Sequence, residues 1–177
     1  MECVNLPELT KEAWSLSLLQ QLNGRRYPLG GTLELTERCN LSCFHCFINQ
    51  PAGCKTAMAR EMSLVQICDL LDQLAAAGCL WLLLTGGEIL IRPDFLEIYE
   101  YAKRKGFLMT LFTNGTLLTP RMVDYLAEFP PLSLEITLYG RTQQTYERVT
   151  QVPGSYARCM HGIDLALDRD LPLELKA

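Results

Sequence analysis

The sequence predicts an α/β protein in which parallel strands and covering helices form a partial TIM-like (βα) barrel. Short apolar runs alternate with longer segments whose apolar residues recur every three or four positions, which is typical of βαβ units around a parallel sheet. The run over residues 80–84 is apolar at every position, as in a strand buried on both faces. We count about five strands in this pattern.

The predicted elements follow one another in a regular order. Ser63 and Gln66 have the spacing of a helix capping box, and Gly78 and Gly106 follow the ends of two helices. Right-handed crossovers would place the helices outside if the sheet curls. Strands are predicted over residues 32–36, 80–84, 107–112, 133–138 and 171–176. Helices are predicted over residues 63–77, 93–105, 119–126 and 156–167, with a shorter helical stretch over 142–149.

The pattern divides the chain into two parts. Residues 1–30 are predicted to be an N-terminal helical extension with one helix over 9–22, and residues 31–177 to be the core domain. A complete eight-stranded barrel takes about 250 residues, whereas this sequence has 177 and stops at the fifth strand. We therefore expect a core domain truncated at its C-terminus, without the strand that would follow the fifth.

The composition limits the classes of partner. Hydrophobic residues make up 49% of the chain, and the net charge is −4. A mildly acidic chain has no general electrostatic attraction to nucleic acid or to an anionic membrane, so we expect neither as a partner. The apolar runs are much shorter than the roughly 20 residues of a membrane span, and the N-terminus lacks the pattern of a signal peptide. We expect a cytoplasmic protein.

Cysteine is the unusual component, with eight residues in the chain. A disulfide scaffold is improbable in a reducing compartment, so some thiols are candidates for metal binding. Cys39, Cys43 and Cys46 follow the first strand and are close enough in sequence to converge on one inorganic site. Iron–sulfur clusters usually take four thiolates, so three would leave one metal corner open to a substrate. The alternative is a zinc site that includes His45, although adjacent residues rarely face the same ion.

A second motif, Gly86-Gly87-Glu88, directly follows the second strand. Two glycines permit positive φ angles and a close approach of a ligand, and the Glu88 carboxylate suits an ammonium group. Ligands of parallel α/β sheets bind beyond the carboxyl ends of the strands, so this turn and the cysteine loop should lie together. A tight turn with a solvated glutamate is the alternative.

Three further polar residues lie near or beyond the ends of later strands. Asn114 follows the third strand, Thr137 lies near the end of the fourth, and Arg148 lies beyond it in the short helical stretch. An arginine can bind a carboxylate at two points. Each of the three also fits an ordinary turn, strand or surface position.

The cysteine loop followed by Gly-Gly-Glu resembles the radical S-adenosylmethionine (radical SAM) superfamily, from about residue 30 to the end of the chain. The stretch over 137–175 is similar to the branch that matures ribosomally made peptides. Many members of that branch carry a C-terminal cysteine-rich SPASM domain, which this sequence does not contain. Tyr139 stands where many of those relatives have aspartate. The resemblance thus implies the N-terminal part of such an enzyme, with a partial barrel of the radical SAM type.

The resemblance also implies a cofactor site. Cys39, Cys43 and Cys46 would bind three irons of a [4Fe–4S] cluster, and SAM would chelate the fourth. The amino group of SAM would be held by Gly86, Gly87 and Glu88. His45 would lie beside the adenine of SAM, and Asn114 would contact its nucleoside. Thr137 would contact SAM from the fourth strand, and Arg148 would face the SAM carboxylate.

The implied reaction is reductive cleavage of SAM by the cluster to a 5′-deoxyadenosyl radical, which takes hydrogen from a substrate. The substrate is unidentified, and a ribosomally made precursor peptide is one candidate. The electron would come from a reductant such as a flavodoxin or ferredoxin. Two alternatives stand beside this hypothesis: a catalytically incomplete [4Fe–4S] protein without turnover, and a zinc-binding interaction module.

Overall fold

The computed structural model describes residues 27–48 and 50–176, together with the separate positions 10, 13, 16, 17 and 20. The predicted helix over 9–22 therefore lies mostly outside the described residues, as does most of the predicted extension over 1–30. Within the described ranges, no helix is both long and apolar enough to cross a membrane.

Five parallel strands form the main sheet, as the alternating pattern predicts. In chain order the strands are β1 (Gly30–Thr36), β2 (Arg38–Cys39), β3 (Gln50–Pro51), β4 (Trp81–Gly86), β5 (Leu108–Thr113), β6 (Ser133–Thr137) and β7 (Leu173–Lys176). The main sheet has the order β1-β4-β5-β6-β7, and every neighbouring pair is parallel. All five carboxyl ends therefore lie along one edge, as in part of a TIM-like barrel. β2 and β3 form a separate pair that is too short to produce a periodic pattern.

The helices alternate with these strands. They are α1 (Lys55–Arg60), α2 (Leu64–Ala76), α3 (Phe95–Arg104), α4 (Pro120–Glu128), α5 (Gln143–Thr150) and α6 (Ser155–Leu167), with a 3-10 turn over Ile89–Ile91. The capping box at the start of α2 is confirmed, because the Ser63 hydroxyl accepts from the Gln66 backbone and the Gln66 side chain accepts from the Ser63 backbone. The sequence did not predict α1, whose six residues are too few for a clear period.

The helices pack on one face of the sheet and build a single core. Leu82 and Leu84 of β4 are buried in this core, together with Ile67 of α2 and Ile98 of α3. On the opposite face of β4, Leu83 is only half-buried. The prediction that residues 80–84 are buried on both faces is therefore wrong, because no element of the described chain covers that inner face.

Candidate functional site

A cavity of about 300 Å³ opens at the carboxyl ends of the strands. It brings together eight of the ten predicted site residues: Cys39, Cys43, His45, Cys46, Gly86, Gly87, Asn114 and Thr137. Glu88 and Arg148 do not line it. A larger groove of about 720 Å³ lies on the outside between α3 and α4, but no cysteine, histidine or glycine lines it. The predicted cysteines, histidine and glycines therefore identify the smaller cavity as the candidate site.

Backbone hydrogen bonds hold the cysteine loop against the end of α5. The Ser42 N–H donates to the Thr150 carbonyl at 3.0 Å, and the Phe44 N–H donates to the Val149 carbonyl at 3.1 Å. Within the loop, the Cys46 N–H donates to the Cys43 carbonyl at 3.0 Å. The loop is thus tied to a helix more than a hundred residues later, which orients its thiols toward one cavity.

The thiols of Cys39 and Cys43 lie in an environment that disfavours their charged form. Burial raises the pKa of the Cys39 thiol to about 11, opposed by a hydrogen bond from the Leu41 backbone and reinforced by the nearby Glu88 carboxylate. Burial also raises the pKa of Cys43. None of the described residues that line the cavity is a lysine or an arginine. A bound metal would supply the positive charge that stabilises thiolates at this site.

The arrangement of these thiols fits a group larger than one ion. Among the described residues, no three histidine, cysteine or acidic side chains are grouped closely enough to hold a single metal ion. Cys39, Cys43 and Cys46 nevertheless line the same cavity. A cluster separates its thiolate ligands because each one binds a different iron, whereas a tetrahedral zinc site draws four ligands onto one ion. Three thiols that line one cavity are the ligand set of a cluster held by three cysteines.

The two glycines of the second motif allow the loop after β4 to lie directly against the cysteine loop. Gly86 has a φ angle of +130°, and a Cβ atom there would lie 2.3 Å from the Thr36 carbonyl oxygen. A Cβ atom on Gly87 would lie 2.3 Å from the Arg38 carbonyl oxygen. A hydrogen bond stabilises this contact, because the Gly87 N–H donates to the Thr36 carbonyl at 2.7 Å. Only glycine fits these positions without displacing the backbone.

Glu88 is fully buried beneath the cavity. Its carboxylate accepts hydrogen bonds from the Thr113 hydroxyl at 2.7 Å, the Asn114 N–H at 2.7 Å and the Leu90 N–H at 3.0 Å. Burial raises the pKa of this carboxyl, and the three hydrogen bonds act in the opposite direction. These hydrogen bonds give the carboxylate a supporting role at the ends of β4 and β5. The contact with an amino group stays a prediction.

Arg148 is exposed and lies outside the cavity. α5 turns Tyr146 and Thr150 inward, where both are buried. Arg148 follows Tyr146 by two residues, which corresponds to about 200° around the helix and directs its side chain outward. The predicted contact with a carboxylate is therefore not supported by its position.

Tyr139 is a site residue to which the sequence assigned no role. It lines the cavity, and the centre of its ring lies 5.1 Å from that of His45 in an edge-to-face contact. Burial raises the pKa of the Tyr139 hydroxyl, and the neighbouring Cys43 adds to this effect. Its position just beyond the end of β6, two residues after Thr137, is the signal that could have found it.

Comparison with known proteins gives a consistent family match. The model of the Radical SAM superfamily matches residues 33–175. The chain is 34% identical over 142 residues to an AdoMet-dependent heme synthase of Methanosarcina barkeri, covering 80% of this chain and 40% of that protein. It is 33% identical over 150 residues to a PqqA peptide cyclase of Ruegeria pomeroyi, covering 85% of this chain and 39% of that protein. It thus spans about two fifths of the length of these curated relatives.

A solved structure with a similar fold is Streptococcus suis SuiB bound to S-adenosylmethionine. The TM-score is 0.70 at 17% sequence identity, and the match covers 99% of this chain and 40% of that one. At this identity the likeness shows a shared fold.

Proposed function

Because this chain belongs to the radical SAM superfamily, whose members use a [4Fe–4S] cluster and SAM, we propose that residues 31–177 form its cofactor-binding core. Cys39, Cys43 and Cys46 would hold the cluster, and SAM would lie beside it. The observation that carries this proposal is that the three thiols and the Gly86-Gly87 turn line one cavity. When both groups are bound, they supply one-electron cleavage of a sulfonium and removal of hydrogen from a substrate.

The chain's own residues bind and orient these groups. The missing side chains of Gly86 and Gly87 let this turn lie against the Thr36 and Arg38 backbone, which would hold it at the cavity beside the cysteines. Glu88 fixes the ends of β4 and β5 relative to one another through its bonds to Thr113 and Asn114. His45 and Tyr139 form an aromatic wall beside the cysteines, suited to an adenine ring. Thr137 adds a hydroxyl on the same inner face.

We propose that the reductant is an external carrier such as a flavodoxin or ferredoxin. Among the described residues, the cysteines outside the loop are dispersed over α2, α6 and two loops, with no second triplet. The chain as described thus offers one cluster site and no internal electron relay. A cytoplasmic location agrees with reduced thiols and stays a prediction.

We propose a peptide as the substrate. The similarity to the PqqA peptide cyclase supports this class. The half-exposed inner face of the sheet offers room for a chain larger than a small metabolite, with Glu34 and Phe112 lining the cavity there. The similarity to a heme synthase makes a tetrapyrrole the competing class. Equilibrium binding of a precursor peptide and of a porphyrin to the loaded protein would separate the two.

The cluster proposal is tested by iron and sulfide content after anaerobic reconstitution. We expect about four irons per wild-type chain and a marked loss in Cys43→Ala. Cys68→Ala is the matched control, because Cys68 lies on α2 outside the cavity, and it should load as the wild type does. Equal iron in Cys43→Ala and the wild type would contradict the assignment. Zinc in place of iron would favour the interaction module. A cluster that assembles without SAM cleavage would favour the incomplete iron–sulfur protein.

A further inference from the structure

Asn114 lies between the cysteine loop and the Gly-Gly-Glu turn. Its side-chain nitrogen Nδ2 lies 3.7 Å from the Cys39 sulfur and donates to Asn40 Oδ1 at 2.9 Å. The resemblance to the radical SAM superfamily implied a contact with the nucleoside of SAM. In the structure, the amide group of Asn114 is directed toward a cysteine that we assign to the cluster.

The orientation of this amide is fixed by its neighbours. The Thr116 backbone N–H donates to Asn114 Oδ1 at 2.9 Å, and the Thr116 hydroxyl donates to the same oxygen at 2.6 Å. A backbone N–H can only donate, so the amide oxygen must face Thr116. Nδ2 must then face Cys39, and the assignment of nitrogen and oxygen follows from chemistry.

A closed set of hydrogen bonds keeps Asn114 in this place. Asn40 Nδ2 donates to the Thr116 hydroxyl at 2.8 Å, which completes a ring of three side chains. The Asn114 backbone N–H donates to the buried Glu88 carboxylate at 2.7 Å. Hydrogen bonds of both the main chain and the side chain therefore fix the position of Asn114. This preorganises Nδ2 as a donor to the Cys39 sulfur.

We propose that Asn114 is a positioning residue that donates an N–H···S hydrogen bond to the Cys39 thiolate and raises the reduction potential of the cluster. The inference rests on the proposed cluster-binding function. Reduction adds negative charge that is shared with the ligating sulfurs, so a donor to sulfur stabilises the reduced state more than the oxidised state. The Leu41 N–H, 3.4 Å from the same sulfur, is a second donor, but it belongs to the backbone.

Redox titration of the reconstituted full chain, followed by electron paramagnetic resonance without SAM, tests this role. Omitting SAM removes any contribution of a nucleoside contact. Asn114→Ala removes the donor, and Asn114→Leu removes it while filling the space that water would occupy. We expect both midpoint potentials to be more negative than that of the wild type. Thr116→Val breaks the side-chain ring but keeps the backbone N–H that orients Asn114, so its potential should shift in the same direction by less than that of Asn114→Ala.

The outcomes separate this inference from the proposed function. Equal potentials in the wild type, Asn114→Ala and Asn114→Leu would overturn the role of Asn114 alone. Failure of both variants to load a cluster that Thr116→Val loads would also contradict it, because a donor that tunes the potential is not needed for assembly. If the wild type itself loads no cluster, the proposed function fails and this inference fails with it.

Discussion

The Glu61 carboxylate forms a two-point ion pair with the Arg38 guanidinium, at 2.6 Å from Nε and 3.1 Å from Nη2. It also accepts from the Thr36 hydroxyl at 2.5 Å and lies 3.8 Å from Arg92. Arg38 directly precedes the first cysteine of the loop, and Arg92 follows the Gly-Gly-Glu turn. One carboxylate therefore joins the two segments that form the candidate site.

We expect Glu61→Ala to lower the free energy of unfolding by about 3–5 kcal/mol, because it leaves the buried Arg38 guanidinium without a carboxylate. Arg92 keeps its ion pair with Asp94. The Arg38 side chain is 6% exposed, so water cannot replace the lost partner well. Urea unfolding of the metal-free chain measures the change. Asp124→Ala is the control, because it breaks an exposed pair with Arg169 and should cost less than about 1 kcal/mol. Equal losses in the two variants would show that the Glu61–Arg38 ion pair stabilises the fold no more than an exposed ion pair does.

The same ion pair predicts how stability depends on pH. Burial alone would raise the pKa of Glu61, but hydrogen bonds from Arg38 and Thr36, with the charges of Arg38 and Arg92, hold it below its usual value. The stabilisation is therefore fully present above the unfolded-state pKa of about 4.3 and is lost as pH falls through the lower folded-state pKa.

We expect the free energy of unfolding of the wild type to fall more steeply below about pH 4.3 than that of Glu61→Gln. The difference between the two curves isolates Glu61, since Asp94, whose pKa is also lowered by Arg92, is unchanged in both. Parallel curves would mean that the carboxylate has the same pKa in the folded and unfolded chains.

Gly87→Ala should disturb the contact between the two site loops. The added Cβ atom would lie 2.3 Å from a backbone oxygen of Arg38, which cannot move aside as a side chain can. We expect a loss of about 1–3 kcal/mol in the free energy of unfolding and weaker SAM binding by calorimetry. Gly53→Ala is the control, because nothing lies within 4 Å of its added Cβ atom. Unchanged SAM affinity in Gly87→Ala would show that this turn does not contribute to SAM binding.

Ser63→Ala tests a feature that the sequence already indicates. It removes the hydroxyl that accepts from the Gln66 backbone, and with it half of the capping box of α2. We expect a loss of about 1 kcal/mol in thermal or urea unfolding, without any change in iron content. A change in iron loading would show that α2 supports the site more directly than its distance along the chain suggests.

The fold was predictable because its signals are local. Apolar runs and three-to-four-residue periods revealed the five main strands and all helices of eight residues or more from residue 63 onward. Burial on the inner face of β4 was not predictable, because it depends on what covers the sheet. The two-residue strands β2 and β3 were missed because a pair so short has no period.

The site was predictable where residue type alone limits the chemistry. Few kinds of site combine three closely spaced thiols with two adjacent glycines, and these five residues do share one cavity. The roles of Glu88 and Asn114 depend on contacts about 25 and 75 residues away, which no local pattern encodes. The outward direction of Arg148 follows from the side of α5 that packs inward, as Tyr146 shows, and residue type alone does not encode it.

The most direct test of the account is electron paramagnetic resonance of the anaerobically reconstituted, reduced protein with and without SAM. We predict a [4Fe–4S] signal that changes when SAM is added, because three cysteines leave one iron open to a ligand in the same cavity. Cys43→Ala should lack this signal. A wild-type cluster signal that is indifferent to SAM, or the absence of a cluster, would contradict the assignment of this cavity as a radical SAM site.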